Sequence, residues 1–572
     1  MSSNEKRITL NKLNYRKRDG SHNKGRQLDY DTLEEIKPLL SSLSTKLPNQ
    51  YPIQRDLLIE ALHLVQDDKG HLDTNHLMAI AELFNLSQVE VFEVASFYHH
   101  FDLIKEGDDI PAQINIRVCD SLSCSIMGAD DLIEGLDGFI DKSKMRVTRV
   151  PCIGRCANAP AANVGKRAVD NATTEKVLEA TNSDLSPEIP NYQSLDTYIN
   201  NGGYQVLKSC LANEKSPKSL IETMSNAGLR GLGGAGFPAG QKWSIVRSFD
   251  GPRLMTINAD EGEPGTFKDR HWLETEPHKM LEGALIAAWA VGCDKIYIYV
   301  RDEYPAVIEI LKAEIERLAS TGFSEHAPFE IRRGAGAYIC GEESAMIESI
   351  EGKRGIPRQR PPYIAEVGLF DHPTLNHNVE TLAWVPDILK NGAAWFSKQG
   401  IGEYNGLRSF SVSGRVKNPG IKLAPAGIST QSLIEDYSGG MLEGHTFKAF
   451  LPGGASGGIF PESMSDLPLE FGTFEKYGGF IGSHAVIILS DQDSISEATI
   501  NLLNFFKHES CGQCTPCRAG TEKMVTLLEQ KSTDIDLFKD LSQVMRDASI
   551  CGLGQAASNP AEHLHQFFGD ES

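Results

Sequence analysis

Two sets of four cysteines constrain the fold of this chain more than any other feature of its sequence. The first set is Cys119, Cys124, Cys152 and Cys156, spaced C-x4-C and C-x3-C, and the second is Cys511, Cys514, Cys517 and Cys551. Three thiolates at two-residue spacings can hold one face of an iron–sulfur cube, and a distant fourth can close it. The different spacings predict two clusters of different kinds, and therefore electrons that move one at a time.

The use of cysteine also bears on the compartment. The N-terminus has no apolar stretch of signal-peptide type, and no apolar run is long enough to cross a bilayer, so we expect a cytoplasmic protein whose thiols stay reduced. Eleven cysteines in such a compartment indicate metal or redox chemistry rather than disulfides. Cys210, Cys293 and Cys340 fall outside both sets, and we interpret them as small buried hydrophobic residues.

The charge of the chain argues against nucleic acid as the main partner, and the lack of a long apolar run argues against a membrane. The net charge is −21, yet residues 1–26 hold eight Lys or Arg against only Glu5 and Asp19. The favoured interpretation of this segment is a solvated tail, and the alternative is an arm that docks on an acidic partner subunit. The chain of 572 residues is too long for one core and predicts about three to five domains.

Hydrophobic periodicity predicts a multidomain chain of α/β and α+β class. Apolar residues recur at helical spacing up to about residue 108, and strands at Ile114–Val118 and Arg146–Val150 then lead directly into the cysteines of the first set. Apolar strands at Leu254–Ile257 and Lys295–Val300, with a helical stretch between them, are typical of a parallel sheet. The predicted units are a basic tail (1–30), a helical segment (31–108), a strand-rich cysteine domain (109–180), a linker (181–204), an α/β domain (205–397), a small α+β domain (398–492) and a helical domain (493–572).

A glycine-rich loop opens the α/β domain. Gly231, Gly233 and Gly236 have the spacing G-x-G-x-x-G, but a helical pattern precedes them where the dinucleotide fingerprint requires a strand. Bare backbone amides still suit a phosphate, and Lys242 adds a positive charge. The alternative is a structural turn, which five glycines within nine residues make less favoured.

Two loops combine small residues with carboxylates. Asn258, Asp260, Glu261 and Glu263 follow the first apolar strand, where α/β sheets place ligands. The segment Gly334–Glu343 repeats the theme, because its small residues let the backbone approach a ring closely. The alternative interpretations are a surface acidic turn at the first loop and a Mg²⁺ or Ca²⁺ site formed by both loops.

Together these motifs resemble those of a known family. The segments Gly228–Trp243, Asn258–Arg270, Gly334–Glu351, Pro373–Leu382, Ser510–Arg518 and Ala548–Leu553 resemble, in this order, the flavin subunit of respiratory complex I and its relatives in NAD-linked formate dehydrogenases and hydrogenases. Residues 30–170 resemble the thioredoxin-like [2Fe–2S] subunit of the same complex, here fused upstream. The phrases Arg117–Cys124 and Leu451–Gly458 look most similar to the beta (diaphorase) subunits of soluble NAD-dependent formate dehydrogenases.

The resemblance implies FMN, NAD(H), a [2Fe–2S] cluster on the first cysteine set and a [4Fe–4S] cluster on the second. It also implies a thioredoxin-like fold for 109–180 and a ubiquitin-like fold for 398–492. Carried over by position, the residues around FMN are Gly231, Gly233, Gly234, Lys242, Asn258, Asp260, Glu261, Tyr338, Gly341, Glu342, Asn378 and Thr381. Those facing NAD(H) are Phe237, Glu263, Glu343, Arg360 and Tyr363, with Glu263 and Glu343 in catalytic roles. Arg360 and Tyr363 stand where the family often has Lys and Phe, and His377 stands where it often has Asn.

The implied function is an electron gate. Nicotinamide exchanges two electrons as hydride, iron–sulfur centres accept one, and a flavin converts between them. We find no molybdopterin-type signature in the sequence. We therefore expect a hetero-oligomer in which a separate catalytic alpha subunit depends on molybdenum or tungsten. That subunit would carry further iron–sulfur clusters. The alternatives are the diaphorase subunit of an NAD-reducing hydrogenase and, in a different class, a scaffold protein with structural zinc sites.

Overall fold

The computed structural model describes residues 27–43, 52–530 and 534–569. The basic segment 1–26 therefore lies outside the described residues. Within the described part of the chain, no helix is both long and apolar enough to cross a bilayer.

The first described unit is helical, as its periodicity predicts. Asp73 and Ser87 each cap the start of a helix with a capping box. In this motif the side chain of the cap accepts from a backbone amide of the first turn, and a side chain of that turn accepts from the backbone amide of the cap. The helices are α1 (Tyr30–Leu40), α2 (Leu58–Lys69), α3 (Thr74–Phe84) and α4 (Gln88–Ala95), and two short parallel strands are β1 (Leu72–Asp73) and β2 (Leu103–Ile104).

A small four-stranded sheet follows and carries the first cysteine set. Its order is β4-β3-β5-β6, with β3 and β4 parallel and the other pairs antiparallel. The elements are β3 (Ile114–Cys119), α5 (Leu122–Ile126), α6 (Ala129–Asp137), β4 (Met145–Val150), β5 (Ala162–Val164), β6 (Arg167–Val169) and α7 (Thr174–Thr181). The two strands predicted to lead into cysteines are confirmed.

The α/β domain is built on a parallel sheet of order β10-β7-β8-β9. Helix α13 is buried along almost its whole length, because it lies in the core of this domain. The elements are α9 (Gln205–Leu211), α10 (Pro217–Ala227), α11 (Ala239–Ser248), β7 (Arg253–Ala259), α12 (Lys268–Thr275), α13 (Pro277–Val291), β8 (Cys293–Val300), α14 (Pro305–Ala319), β9 (Phe329–Arg333), α15 (Glu343–Ile350), β10 (Thr374–Asn378), α16 (Val379–Ala383), α17 (Val385–Asn391) and α18 (Ala393–Ser397), preceded by α8 (Leu195–Asn200).

The chain ends in a small α+β unit and a group of helices, as predicted. The α+β sheet has the order β12-β11-β15-β13-β14, in which only β11 and β15 pair in parallel. Its elements are β11 (Leu407–Gly414), β12 (Gly420–Pro425), α19 (Thr430–Ser432), β13 (Phe447–Leu451), β14 (Phe460–Pro461) and β15 (Ala485–Ser490). The last helices are α20 (Ile495–Glu509), α21 (Thr515–Glu529), α22 (Ile535–Ala548), α23 (Gly552–Ala556) and α24 (Asn559–Phe567).

The predicted linker over 181–204 is only partly correct. Residues 182–194 have no regular structure, but α8 then packs Leu195 and Tyr198 into the core of the α/β domain. Polar composition predicts a loop, and it does not reveal that the Glu314 carboxylate accepts a hydrogen bond from the Leu195 amide at 2.9 Å. The segment is therefore fastened to the domain that follows it.

The N-terminal helices are not an independent module. Residues of α2 and α4 share one hydrophobic core with the Gly334–Glu343 loop and with α20 and α21. The Arg332 guanidinium, only 3% exposed, donates to the Asp56 carboxylate at 2.7 Å across this boundary. The upstream helices are thus part of the wall of the α/β domain.

Acid is expected to weaken the contact between α24 and the small α+β unit. Burial of His563, which packs on the Phe460 ring, lowers its pKa to about 4. His563 takes up a proton near pH 6.5 in the unfolded chain and only near pH 4 in the folded chain. The neutral, buried ring therefore contributes its full stability above pH 6.5. As the pH falls from 6.5 to 4, the free energy of unfolding decreases by up to about 3 kcal/mol. Hydrogen exchange of α24 from pH 7 to 4 should show a steeper loss of protection in wild type than in His563→Gln, and equal slopes would contradict this.

Candidate functional site

The glycine-rich loop lies between α10 and α11, against the end of β10. The amide of Gly231 donates to Phe237 O at 2.8 Å, and the amide of Leu232 donates to the Thr381 hydroxyl at 2.9 Å. A Cβ on Gly233 would lie 3.0 Å from the Asn378 Cβ, whereas a Cβ on Gly234 would meet nothing within 4 Å. The loop is therefore packed on one side and open on the other, as a cradle for a ligand requires.

The loop that follows β7 supplies an unpaired carboxylate. The Asn258 side-chain amide donates to Gly341 O at 2.8 Å, and this bond holds the two acidic loops together. Asp260 Oδ2 is buried without a hydrogen-bond partner, and burial raises the pKa of this carboxyl well above its ordinary value. A buried polar atom without a partner is costly, so this atom fits a hydrogen-bond donor supplied by a ligand.

The other carboxylates of these loops contact protein groups. Glu261 accepts from the Asp269 and Arg270 amides and from the Tyr304 hydroxyl, and burial raises its pKa to about 8. Glu342 is the N-cap of α15 and accepts from the amides of Ser344 and Ala345 at 3.0 and 2.9 Å. The observed contacts of Glu261 and Glu342 support the local fold. Their direct contact with a ligand ring stays a prediction.

Glu263 and Tyr338 are joined by a short hydrogen bond from the phenol to the carboxylate. The other oxygen of Glu263 accepts from the Ser456 amide and hydroxyl, each at 2.7 Å. Burial raises the pKa of Glu263, whereas these hydrogen bonds favour its ionised form. The pair lies where the α/β domain meets the α+β unit, which sequence reasoning did not predict.

The residues predicted to face the nucleotide lie at an open mouth. Phe237 and Tyr363 are 40% and 59% exposed. Arg360 pairs with Glu342 and lies 3.4 Å from the Glu343 carboxylate. Lys242 lies near this pair, since the charges of Glu343 and Arg360 both act on its pKa, which burial lowers. A polar and aromatic rim that leads to a glycine cradle suits a dinucleotide.

His377, which stands where the resembling family often has Asn, contacts a neighbouring helix. Its Nε2 accepts the indole N–H of Trp243 at 2.7 Å, and burial holds its pKa well below the ordinary value. It therefore joins α11 to β10. Sequence reasoning also missed Lys268, a fully buried cation 2.8 Å from Asp269 and 3.1 Å from Glu380, although the Asn258–Arg270 motif contains two of these residues.

The structure brings the first cysteine set together. All four cysteines are buried, and the sulfur atoms of Cys152 and Cys156 are 3.3 Å apart. Cys119 lies within hydrogen-bonding reach of Cys124 and Cys152, and these neighbours hold its pKa well above the ordinary value. Four converging sulfur atoms without a disulfide fit a compact cluster, whose binding must displace thiol protons.

The second set also converges, at the start of α21 and before α23. Burial raises the pKa of Cys517 to about 11 and that of Cys551 to about 12. Cys511 acts on both of these thiols through its charge, and Cys514 lies beside Cys517. A Cβ on Gly554 would lie 2.8 Å from the Cys517 Cβ, so the pocket is closely packed around its sulfur atoms.

Two contacts connect the cysteine sets to the cleft. The Arg301 guanidinium donates to Cys152 O at 2.6 Å and to Glu261 O at 2.5 Å. On the other side, the Tyr338 amide donates to the carboxylate of Glu509, two residues before Cys511, at 2.8 Å. The cleft therefore lies between the two sets.

Replacing Cys124 with Ser is expected to remove the [2Fe–2S] signal with little loss of NADH-dependent dye reduction, because the glycine and acidic loops do not use this thiol. Cys124 lies next to a contact between the domain of the first cysteine set and the α+β unit, where the hydroxyls of Ser123 and Ser413 are 2.9 Å apart. Electron paramagnetic resonance and dye assays on a folded variant with full FMN content test this. Complete loss of dye reduction would contradict it.

Three family models match successive parts of the chain. The model for a thioredoxin-like [2Fe–2S] ferredoxin matches residues 45–183, and the model for the Nuo51 FMN-binding domain matches 224–387. The model for the NADH-ubiquinone oxidoreductase-F iron–sulfur binding region matches 497–572. These models carry both cysteine sets and the cleft, so the chain has the binding regions for FMN, NAD(H), a [2Fe–2S] cluster and a [4Fe–4S] cluster. They support iron–sulfur sites in place of the structural zinc sites of the scaffold alternative.

Relatives and solved structures agree with the models. An F subunit of the NADH-quinone oxidoreductase of Rhizobium meliloti (strain 1021) is 39% identical over 65% of this chain and 91% of its own length. The F subunit of the same enzyme in Aquifex aeolicus (strain VF5) is 40% identical over 67% of this chain and 91% of its own length. The crystal structure of an NAD⁺-reducing [NiFe]-hydrogenase in its H₂-reduced state is similar at a TM-score of 0.81 and 32% identity, over 91% of this chain and 93% of that chain.

Proposed function

We propose that this chain, which belongs to the family of the F subunits of NADH-quinone oxidoreductases, is the diaphorase subunit of an NAD-dependent formate dehydrogenase. In this role it exchanges hydride with NAD(H) and single electrons with a catalytic partner subunit. The position of the cleft between two converging cysteine sets carries the proposal, because it puts a two-electron site beside two one-electron sites.

The cradle residues have separate tasks in this proposal. FMN, when bound, supplies the chemistry that relates hydride to single electrons. The backbone at Gly234, where a side chain would meet nothing within 4 Å, would bind its phosphate, and the unpaired Asp260 carboxylate would accept a hydrogen bond from it. Glu263 is held in one orientation by Tyr338 and Ser456, so it can fix a ligand group without a cost for its own ordering.

The proposal places NAD(H) at the open mouth, against the side chains of Glu343, Arg360, Phe237 and Tyr363. Their exposure leaves the mouth open for NAD(H) to enter and leave. The Glu343 carboxylate can accept hydrogen bonds from a ribose or a carboxamide. The remaining predicted contacts, from Gly231, Lys242, Asn258, Gly341, Asn378 and Thr381, line the same cleft or support its loops.

Formate as the substrate of the partner rests on the phrases Arg117–Cys124 and Leu451–Gly458, which resemble the formate dehydrogenase branch. A hydrogen-oxidising partner is the second candidate. It is favoured by the likeness to the NAD⁺-reducing hydrogenase structure, which covers 91% of this chain, whereas the complex I relatives cover 65% and 67%.

The test is to purify the native complex through this chain and assay NAD⁺ reduction with formate and, separately, with hydrogen. We expect formate-dependent reduction that is lost when the partner is stripped away, while NADH–dye activity stays with the isolated chain. Hydrogen-dependent reduction without formate activity would replace the first candidate by the second. An isolated chain without any NADH–dye activity would contradict both.

A further inference from the structure

Three polar side chains away from the cleft have the donor set of a transition-metal site. His63 on α2 is fully buried, and the side chains of His100, which follows α4, and Asp302, which follows β8, are each 11% exposed. One ligand atom of each lies within 4.8 Å of the other two. Two imidazoles and one carboxylate, completed by a water, form a donor set that zinc accepts in proteins.

The hydrogen bond of His63 fixes the tautomer of its ring. Nε2 lies 2.9 Å from Gly334 O, and because a carbonyl only accepts, Nε2 carries the proton. The lone pair is therefore on Nδ1, which is buried without a hydrogen-bond partner and faces Asp302 Oδ1 at 4.0 Å. A bond from the far nitrogen to a carbonyl is also the contact that metal-ligating histidines usually make.

Asp302 is oriented from the opposite side. Its Oδ1 accepts from Arg333 Nε at 3.1 Å and Nη2 at 2.5 Å, and its Oδ2 lies 3.2 Å from His100 Nδ1. Arg333 and Lys166 both pair with Asp67, at 3.0 and 2.9 Å. The positive charges of Arg333 and Lys166 equal the negative charges of Asp67 and Asp302 in number. These four groups therefore have no net positive charge that would repel a metal ion.

The facing atoms of His63 and Asp302 suit a cation. The Nδ1 lone pair and the Asp302 carboxylate face each other as two electron-rich atoms 4.0 Å apart. A cation between them would relieve this repulsion.

We propose that His63, His100 and Asp302 bind one divalent transition-metal ion, for which zinc is the best match. The ion would fasten the N-terminal helices, which carry His63 and precede His100, to the segment after β8 that carries Asp302. Two hydrogen bonds already join the same helical unit to the neighbouring Gly334–Glu343 loop, because His63 Nε2 donates to Gly334 O and the His100 amide donates to Ala335 O at 3.1 Å. The role is structural and is independent of the partner proposed above.

The test uses the full chain with both clusters and FMN in place, treated with chelator and then given one equivalent of zinc. We expect about one bound zinc per chain, and zinc X-ray absorption with only nitrogen and oxygen neighbours at about 2.0–2.2 Å. A sulfur shell near about 2.3 Å would place zinc on cysteines and overturn the proposal. Zinc no higher than in a buffer blank would mean that the three side chains form an ion pair only, which also overturns it.

A pair of variants separates this site from a rival group. His99 and His508 stack at 4.1 Å and, with Glu509, form another group of possible ligands. His100→Gln should weaken zinc binding at least about tenfold in competition with a chromophoric chelator, whereas the matched control His99→Gln should leave it unchanged. The reverse pattern would overturn the proposal. If His100→Gln does not fold, the absorption spectrum of wild type decides alone.

Discussion

Replacing Cys514 with Ala is expected to abolish electron transfer to the partner while NADH still bleaches the flavin. Cys514 is the N-cap of α21 and contributes one of the four sulfur atoms of the second set. Three thiolates leave one iron of the [4Fe–4S] cube without a protein ligand, so we expect the variant to lose the cluster and its four iron atoms. None of the described contacts of the glycine loop or of Asp260 involves this residue, so FMN binding should persist.

The comparison for this prediction is Cys210→Ala, which removes a buried thiol outside both sets. Iron and flavin analysis of both variants, with NADH bleaching and transfer to the partner, gives the result. The control should match wild type in all four, whereas Cys514→Ala should lose iron and at least about a hundredfold in transfer, with flavin content and bleaching unchanged. Unchanged iron content in Cys514→Ala would remove this residue from the ligand set.

Replacing Glu343 with Gln is expected to weaken the use of NAD(H) by about tenfold to a hundredfold. Glu343 begins α15 at the open mouth, and its carboxylate lies 3.4 Å from Arg360. A hydrogen bond to a charged group contributes about 1.5–3 kcal/mol, which corresponds to this loss. Removing the negative charge should also raise the flavin potential, because a nearby anion disfavours the reduced, anionic flavin.

Glu309→Gln is the matched control, since it breaks an exposed ion pair with Lys312 on α14, away from the mouth. NADH titration and flavin redox potentiometry, with FMN content checked, measure both effects. If Glu343→Gln and Glu309→Gln both match wild type in nucleotide affinity and potential, Glu343 only supports the local fold and its placement beside the nucleotide is wrong.

The sequence predicted the elements that carry a strong local signal. Strands such as β3 and β8 alternate or run apolar, and the glycine loop and cysteine spacings follow from the chemistry of their ligands. Contacts between distant segments leave no such signal. The residues just before α2 are joined to β9 by ion pairs such as Asp56 with Arg332, which are 276 positions apart.

The same limit explains the carboxylates of the site. A run such as Asp260–Glu263 indicates acidic chemistry, but the sequence does not show which oxygen meets a helix amide and which remains free. Glu261 caps the first turn of α12, whereas Asp260 keeps an unpaired oxygen, although the two residues are adjacent. Only the three-dimensional path of the loop separates their roles.

The central claim is that electrons taken from NADH as hydride reach iron held by the cysteines of this same chain. The most direct measurement is electron paramagnetic resonance of the isolated chain, frozen after anaerobic addition of NADH. The account predicts a reduced iron–sulfur signal that is absent before NADH is added. A chain whose flavin bleaches with NADH, but whose iron–sulfur signal appears only after a stronger chemical reductant, would contradict it.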